Sequence, residues 1–240
     1  MLLGARDSFR TGGISARDYV QDGLIAMWDG IENAGWGVHD PNATQWVDLV
    51  GGVVVTVPAN ARVTYQSLYF PAQGAGAAGS KKAPEYRALT AVFRRETWGS
   101  RVIWQSGNAH RTMIGNADGG TAYWYFDAYR QPVGNAYSIR NSKYGDPSGR
   151  IERITAVFAT GADIYAPSQV WHNGATVAPF WSTYNASWTA PSTCRIGGAA
   201  NGTNGIKGDI YNIRLYSRTL TAAEIAYNDE IDQARFKLTA

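Results

Sequence analysis

Apolar and polar residues alternate along much of the chain, and this two-residue period predicts β-strands. The clearest run is 208–216, in which Tyr211, Ile213 and Leu215 are separated by single polar residues. The alternation predicts that these three side chains lie on one face of a strand. Further β-prone runs, bounded mainly by turn-forming residues, predict strands at 23–30, 51–57, 63–70, 87–95, 101–107, 121–130, 152–160 and 193–198.

A β-hairpin is predicted in SQVWHNGATVAPF, residues 168–180. Asn173 and Gly174 separate two β-prone runs, and a type I′ turn needs positive φ at both of its central residues. Two other stretches, 74–82 and 108–120, are rich in glycine or irregular in pattern, and we expect them to form loops.

One helix is predicted at the end of the chain, over about 221–235. Thr221 is followed three residues later by Glu224, which is the spacing of a capping box. Leu220 and Ile225 occupy the positions of a hydrophobic staple across that cap. The helix is predicted to pack through a narrow apolar stripe formed by Ala223, Tyr227, Ile231 and Ala234.

The order of these elements predicts the fold class, an all-β antiparallel β-sandwich with a short C-terminal helix. Strand follows strand without the alternation of strands and helices that builds a parallel sheet. A chain of 240 residues, 45% of them apolar and 17% charged, is long enough for one such domain. Residues 1–22 are polar and weakly patterned, so we expect an arm outside the core, followed by one domain over 23–240.

Charge and composition exclude several classes of protein. The formal net charge is only +3 and no segment concentrates Lys and Arg, so no nucleic-acid partner is expected. No apolar run approaches the roughly 18 residues of a membrane span. The single cysteine, Cys194, allows no internal disulfide, and its strand-like surroundings favour a buried structural thiol over a catalytic one.

Several motifs, taken in order, resemble one known superfamily. The terminal strand, turn and helix carry Gly208, Ile210, Ile213, Leu215, Tyr216, Leu220, Thr221, Glu224 and Ile225. GLIAMWDG (23–30), SLYF (67–70), ERITAVFAT (152–160), the hairpin and CRIGG (194–198) precede them. This pattern resembles the concanavalin A-like jelly-roll superfamily, in particular its laminin G-type and pentraxin-like modules.

The resemblance covers roughly residues 23–235 and implies a jelly-roll fold. It implies several functions, because the superfamily includes lectins, glycan-binding modules, adhesion domains and some endo-glucanases. The longer phrase at residues 19–52 also resembles a recurrent opening in proteins of gut bacteria and their phages.

Catalytic residues are not evident in the pattern. Retaining β-glucanases need two carboxylates about 5–5.5 Å apart, and strands supply them at alternate positions. Glu230 and Asp232 match that spacing superficially, but residues two apart on a helix point to different faces, so we expect a solvated helix face. The sequence therefore predicts that the protein is not an enzyme, with a glycan-active enzyme of the same superfamily as the alternative.

An oxygen-rich loop supplies a weak candidate for a metal site. Asp29, Glu32 and Asp40 lie within a dozen residues, and Ca²⁺ binds six to eight oxygen ligands. Calcium is therefore the cofactor to test, and no other cofactor is expected. The alternative is that Asp40 and Asn42 form a local turn around Pro41.

Aromatic residues are unusually abundant, with nine Trp and fourteen Tyr. Trp28, Trp104 and Trp171 lie in β-prone runs and are expected in the core. Aromatic residues with polar neighbours are expected to be exposed and to bind a ligand, because indole and phenol rings offer flat apolar faces with a polar edge. These candidates are Trp36, Trp98, Trp181, Tyr184 and Trp188, with residues 180–191 as the main binding loop. The alternative is a loop pinned onto the core by its aromatic side chains.

The sequence as a whole favours a non-enzymatic binding or structural module. The N-terminal residues lack the apolar stretch of a Sec signal peptide, and a virion protein, made in the host cytoplasm and released by lysis, needs none. We therefore expect a phage virion protein, such as a capsid decoration, head fibre or tail component. Its expected partners are glycans or neighbouring virion subunits, with homo-oligomers allowed. A bacterial adhesion domain with a protein partner is a further alternative.

Overall fold

The computed structural model describes residues 13–74, 76–97, 101–106, 110–117, 121–130, 135–140, 149–158, 167–177, 180–184, 192–199, 202 and 205–237. Within these ranges the chain forms seventeen strands, one short 3₁₀ helix (Ala16–Asp18) and one α-helix, α1 (Ala222–Phe236).

The strands are, in chain order, β1 Leu24–Asp29, β2 Gln45–Val47, β3 Val54–Thr56, β4 Arg62–Val63, β5 Leu68–Phe70, β6 Ala77–Gly79, β7 Ala88–Arg95, β8 Arg101–Gln105, β9 His110–Ala117, β10 Thr121–Arg130, β11 Asn135–Arg140, β12 Ile151–Phe158, β13 Pro167–His172, β14 Ala175–Val177, β15 Phe180–Tyr184, β16 Arg195–Ile196 and β17 Gly208–Tyr216.

These strands form two sheets, and neighbouring strands within each sheet are antiparallel. The first sheet has the order β14-β13-β12-β7-β17-β5-β4, and β1 pairs with β17 beyond the end of β5. The second sheet has the order β15-β11-β10-β9-β8-β16-β6-β3-β2. The predicted antiparallel sandwich with a C-terminal helix is therefore confirmed.

The main core lies between the two sheets and is built around tryptophan. Trp28 and Trp104 are fully buried with ring centres 5.2 Å apart, as the sequence predicted. The indole N–H of Trp28 donates to the Val53 carbonyl (3.2 Å), and that of Trp46 donates to the Asp29 carbonyl (2.8 Å). These bonds satisfy polar groups that burial would otherwise leave unpaired. Trp171, which was also expected in the core, is only partly buried and packs under α1.

A bulge in β17 changes which of its side chains face the core. Ile210 and Ile213 both lie in the main core, whereas Tyr211 lies on the outer face against Phe236, with ring centres 5.4 Å apart. The predicted common face of Tyr211 and Ile213 is therefore wrong. Its cause is a register shift in the pairing with β7 between Ile210 and Asn212, since one extra residue reverses the alternation.

Helix α1 begins as the sequence predicted. The Glu224 N–H donates to Thr221 Oγ1 (3.3 Å), and the Thr221 N–H donates to Glu224 Oε2 (2.8 Å). Leu220 and Ile225 are both buried beside this cap. The helix ends at Lys237, whose φ of 51° is left-handed. Both the predicted capping box and the predicted position of the helix are confirmed.

The buried face of α1 is far more polar than predicted. Ala223 and Ala234, two members of the expected apolar stripe, are exposed. The side chains that face the sheet are Ile225, Asn228, Ile231, Asp232, Arg235 and Phe236. On the outer surface of the first sheet, α1 covers Asn212 and Arg214 of β17. The inner face of the helix is polar because these buried side chains need polar partners.

The end of the predicted N-terminal arm packs on the domain. We name Ser15–Val20 the strap, which contains the 3₁₀ helix capped by Ser15. Ala16 and Tyr19 are almost completely buried, and they belong to the hydrophobic cluster between the first sheet and α1. The described part of the region 1–22 thus contributes to the outer layer of the sandwich.

Several predicted loops contain strands. Residues 108–120 include β9, 74–82 include β6, and 180–191 begin with β15. Conversely, the predicted strand 63–70 is interrupted by the turn Thr64–Ser67, in which the Thr64 N–H donates to the Ser67 carbonyl (2.7 Å). The paired neighbours explain the first difference, because β9 and β6 each bond to a strand on both sides whatever their side chains are.

The predicted hairpin is confirmed. β13 and β14 pair antiparallel around Asn173 and Gly174, whose φ angles are 49° and 83°. Both values are positive, as a type I′ turn requires.

Candidate functional site

The five aromatic residues selected from the sequence do not form one described cluster. Trp98 and Trp188 lie outside the described residues. Trp181 and Tyr184 belong to β15, the outermost strand of the second sheet, where they pair with Ile139 and Ala136 of β11. Their role in binding stays a prediction. Trp36 is the member whose side chain is described.

Trp36 occupies the tip of a tight turn. The Val38 N–H donates to the Gly35 carbonyl (2.9 Å), which leaves Trp36 and Gly37 as the central residues. Gly37 has a φ of +71°, a conformation that favours glycine at this position. The Arg17 Cζ lies 4.5 Å from the centre of the indole ring. Since the ring is also partly buried against the cluster under α1, it offers less free surface than the sequence predicted.

Strands β1 and β5 pair with the same edge of β17, one after the other along its length. Two loops meet at the junction between β1 and β5. The loop 30–44 leaves β1 at this point, and the turn Thr64–Ser67 enters β5. At Gly30 a Cβ atom would overlap the backbone of Gln66, so the absence of a side chain lets the two segments cross closely. The two loops therefore form one surface.

We name this surface, formed by Val38, His39, Asp40, Asn42 and Tyr65, the Tyr65 surface. Tyr65 is 74% exposed at the tip of its turn, and its ring centre lies 5.6 Å from that of His39. Val38 is 51% exposed on the neighbouring loop. Exposed aromatic and apolar groups beside polar side chains are the usual composition of a ligand-binding surface. Tyr65 has no separate signal in the sequence, because it lies inside the run 63–70, which predicted one strand.

Hydrogen bonds within the loop fix the shape of this surface. The Asp40 N–H donates to Asn33 Oδ1 (2.9 Å), and Asn33 Nδ2 donates back to the Asp40 carbonyl (2.8 Å). The Asn42 N–H donates to Asp40 Oδ1 (2.8 Å), which is the predicted local turn. His39 Nδ1 lies 2.9 Å from the Ile31 carbonyl. A loop held in this way loses little conformational entropy when a ligand binds.

The three candidate calcium ligands have other partners. Asp29 accepts hydrogen bonds from Arg235 Nη2 (2.7 Å) and Asn212 Nδ2 (2.8 Å). Glu32 Oε1 accepts one from Arg235 Nη1 (3.2 Å). Among the residues that the structure describes, no three His, Cys, Asp or Glu side chains are grouped as metal ligands, and Asp40 is engaged in its own turn. The guanidinium of Arg235 balances the two buried carboxylates, so this arrangement does not favour calcium there.

A second buried ion pair lies under α1, and the sequence missed it. Arg214 of β17 donates two hydrogen bonds to Asp232 (2.9 and 2.6 Å), and the Tyr19 hydroxyl donates a third (2.7 Å). The expectation that Asp232 belongs to a solvated helix face is wrong, while Glu230 is exposed as expected. No periodicity signals such a pair, because its members lie on different elements.

Burial and charge shift the pKa values inside this pair in a way that suits a structural role. Burial, and then the Asp232 carboxylate, raise the pKa of Tyr19 well above its usual value. Burial lowers the pKa of Arg214, but the nearby acidic groups outweigh this and raise it overall. A phenol with a raised pKa is a poor nucleophile, and all three groups are closed off from solvent.

Another buried pair lies near the β13–β14 hairpin. His172 Nε2 contacts Glu152 Oε2, and both side chains are almost completely buried. The sequence does not indicate this contact, because Glu152 lies on β12 and His172 lies 20 residues later on the neighbouring strand β13.

A cavity between α1 and the outer face of the first sheet is too small to hold a sugar. It has room for about one water molecule, and its lining includes Thr90, Thr155, Trp171 and Asn228.

The one helix longer than a single turn in the described ranges is too short and too polar to cross a membrane.

Comparisons with known proteins show the fold. No protein-family model matches the sequence, and no curated protein sequence matches it. Among solved structures, Trypanosoma rangeli sialidase in complex with sialic acid aligns with a TM-score of 0.56 and 19% identity, over 88% of this chain and 33% of the sialidase. The botulinum neurotoxin serotype D binding domain aligns with a TM-score of 0.53 and 12% identity, over 87% of this chain and 52% of that domain.

A third solved structure, the SAP-like pentraxin of Limulus polyphemus, aligns with a TM-score of only 0.41 and 11% identity, over 61% of this chain and 71% of the pentraxin. A TM-score this low does not show a shared fold. The chain spans about a third of the length of the sialidase. The alignments with the sialidase and with the toxin binding domain agree with the β-sandwich fold, which the resemblance also implied. The laminin G-type subdivision and the phage setting stay predictions.

The comparison corrects one conclusion drawn from the sequence. The absence of a paired carboxylate motif led to the prediction that the protein is not an enzyme. That prediction is contradicted, because several of the solved structures that align with this chain are sialidases, which are glycoside hydrolases. The motif search tested one type of active site only, and the fold is also compatible with an enzyme.

Proposed function

We propose that the protein recognises carbohydrate through the Tyr65 surface. The observation that carries the proposal is the exposed ring of Tyr65 beside His39, at the crossing of two loops fixed by hydrogen bonds. A flat aromatic ring stacks on the apolar face of a sugar ring. The side chains of Asp40 and Asn42, on the same surface, supply hydrogen-bonding groups for hydroxyls.

The shared fold supports this class of ligand. The sialidase that aligns with most of this chain was solved in complex with sialic acid. The aligned part is about a third of that protein, so the likeness supports a carbohydrate ligand without defining which sugar binds.

A glycan array tests the proposal. We expect the unchanged protein to bind a limited set of glycans, and Tyr65→Ala to weaken that binding at least about fivefold, equivalent to roughly 1 kcal/mol. Tyr65→Phe keeps the ring and is expected to keep most of the affinity. Val50→Ala is the matched control, because Val50 is an exposed apolar residue (41%) on the β2–β3 turn.

Full binding by Tyr65→Ala would contradict a site at Tyr65. A loss confined to the double variant Trp181→Ala plus Trp188→Ala would instead locate the site in residues 180–191. An array without any bound glycan would contradict carbohydrate recognition itself.

We further propose that the protein is carried on a phage particle, as a capsid decoration, head fibre or tail component. The support is the resemblance of residues 19–52 to openings found in proteins of phages and gut bacteria. Purified particles from a lysate, probed with an antibody against the protein, are expected to contain it in a fixed ratio to the major capsid protein. Its absence from such particles would contradict the virion setting.

A further inference from the structure

The strap touches the loop that carries the Tyr65 surface. The Ala16 N–H donates to Glu32 Oε1 (2.7 Å), and the Gly37 N–H donates to Glu32 Oε2 (2.7 Å). One buried carboxylate therefore joins the strap to the turn that presents Trp36 and Val38. The stacking of Arg17 on Trp36 adds a second contact between the same two segments.

The strap is also hydrogen-bonded to α1, which lies more than 200 residues later in the sequence. The Val20 N–H donates to Asn228 Oδ1 (3.0 Å), and the Tyr19 hydroxyl donates to Asp232. The strap is thus held between the helix and the loop, and it fixes the position of one relative to the other.

Glu32 is the junction of these contacts. Its side chain is almost fully buried, and its two oxygens accept from Ala16, Gly37 and Arg235. A buried carboxylate needs all of its hydrogen-bond donors, because leaving it partly unsatisfied is costly. Displacing the strap would remove one donor from Glu32 and the guanidinium from Trp36, so the loop would lose its fixed shape.

We propose that the strap positions the Tyr65 surface, with Arg17 and Glu32 as positioning residues that do not touch the ligand. This inference rests on the proposed function for its effect on affinity. Since residues 1–14 precede the strap in sequence, a force applied to them is transmitted to the strap. Attachment through the N-terminal residues would then change how well the loop 30–44 binds its ligand.

Two variants test the coupling, and a third is their control. Arg17→Ala removes the exposed guanidinium from the Trp36 ring, and Glu32→Gln keeps the shape of the side chain but removes its charge. Asp22→Ala is the matched control, since Asp22 lies just beyond the strap, is 84% exposed and pairs with Arg218. Hydrogen exchange of backbone amides at 33–42 is the main readout, because it needs no glycan.

We expect faster exchange at 33–42, by about two- to fivefold in Arg17→Ala and at least about tenfold in Glu32→Gln. Exchange in β7 and β12 should stay unchanged in Arg17→Ala, which separates loop release from global unfolding. The control Asp22→Ala should match the unchanged protein. Unchanged exchange at 33–42 in both test variants would overturn the inference.

Affinity for the best glycan of the array supplies the second readout, and we expect it to fall in Arg17→Ala without any change in β7 or β12. Faster loop exchange with full affinity would overturn the effect on binding. If the unchanged protein binds no glycan, the proposed function fails, and the exchange data alone decide whether the strap positions the loop.

Discussion

The buried pair of Arg214 and Asp232 gives the sharpest test of how α1 is attached to the sandwich. We predict that Asp232→Asn destabilises the protein strongly. The substitution keeps the size of the side chain but leaves the Arg214 guanidinium without a counter-charge. Arg214 is completely buried, so water cannot replace the lost carboxylate.

The expected magnitude follows from this burial. Breaking a buried ion pair by removing one partner costs about 3–5 kcal/mol, because an uncompensated charge remains in the interior. For a domain of this size each kcal/mol lowers Tm by about 2–4 °C, so the loss should be about 6–20 °C. Replacing both partners together, as in Arg214→Met plus Asp232→Leu, should recover part of that loss, since no unpaired charge is left and only the Tyr19 hydroxyl loses its acceptor.

Urea unfolding followed by circular dichroism measures these differences. Glu230→Gln is the matched control, because Glu230 lies on the same helix two residues away and is exposed. We expect it to change the free energy of unfolding by less than about 0.5 kcal/mol. A loss below about 1 kcal/mol in Asp232→Asn, or equal losses in the two variants, would refute the buried pair.

Three further predictions concern the cap and the single thiol. The Arg218 guanidinium, with Thr221, lowers the pKa of Glu224 from 4.5 to about 2. A carboxylate with a lowered pKa in the folded state stabilises the fold above its ordinary pKa, so the free energy of unfolding should fall by about 1 kcal/mol between pH 4.5 and 2. The Glu224→Gln variant is the control, because it should lack this loss over the same pH range. Burial raises the pKa of the Cys194 thiol to about 12, so a thiol reagent at neutral pH should modify unfolded protein only, and labelling at equal rates in the folded state would contradict this. Gly79→Ala should cost about 1–3 kcal/mol in thermal unfolding, because its Cβ would overlap the Cys194 sulfur, and an unchanged Tm would show that this packing is looser.

The sequence predicted the local structure of this protein well wherever the signal was short-range. The type I′ turn at Asn173 and Gly174 needs only residues that tolerate positive φ. The cap formed by Thr221 and Glu224 needs only their spacing. Such features depend on neighbours in sequence, so their prediction does not require the fold.

Long-range pairing explains most of what the sequence missed. Nothing near Tyr19 indicates that its hydroxyl meets Asp232, 213 residues later. The helix therefore looked like a surface helix with an apolar stripe, although its inner face is charged and paired. The bulge in β17 is a second example, because the register shift is set by pairing with β7 and leaves no mark in the alternation.

The candidate surface was predictable only in part. The sequence selected the loop of Asp29, Asp40 and Trp36, and the structure places that loop beside the exposed aromatic residue. The sequence did not select Tyr65, because its turn lies inside a β-prone run. The turn lies close to the other loop because Gly30 has no side chain, and the local sequence around Tyr65 does not show this. Residues 180–191 stay a second candidate that only a binding measurement can compare with the Tyr65 surface.

The most direct test of carbohydrate recognition is a backbone amide map of the bound state. The ¹⁵N-labelled protein is titrated with the strongest glycan of the array, and shifts are followed residue by residue. We expect saturable shifts concentrated at 36–42 and 64–67, which disappear in Tyr65→Ala. Saturable shifts that leave both segments unchanged would contradict the assignment of the Tyr65 surface as the binding site.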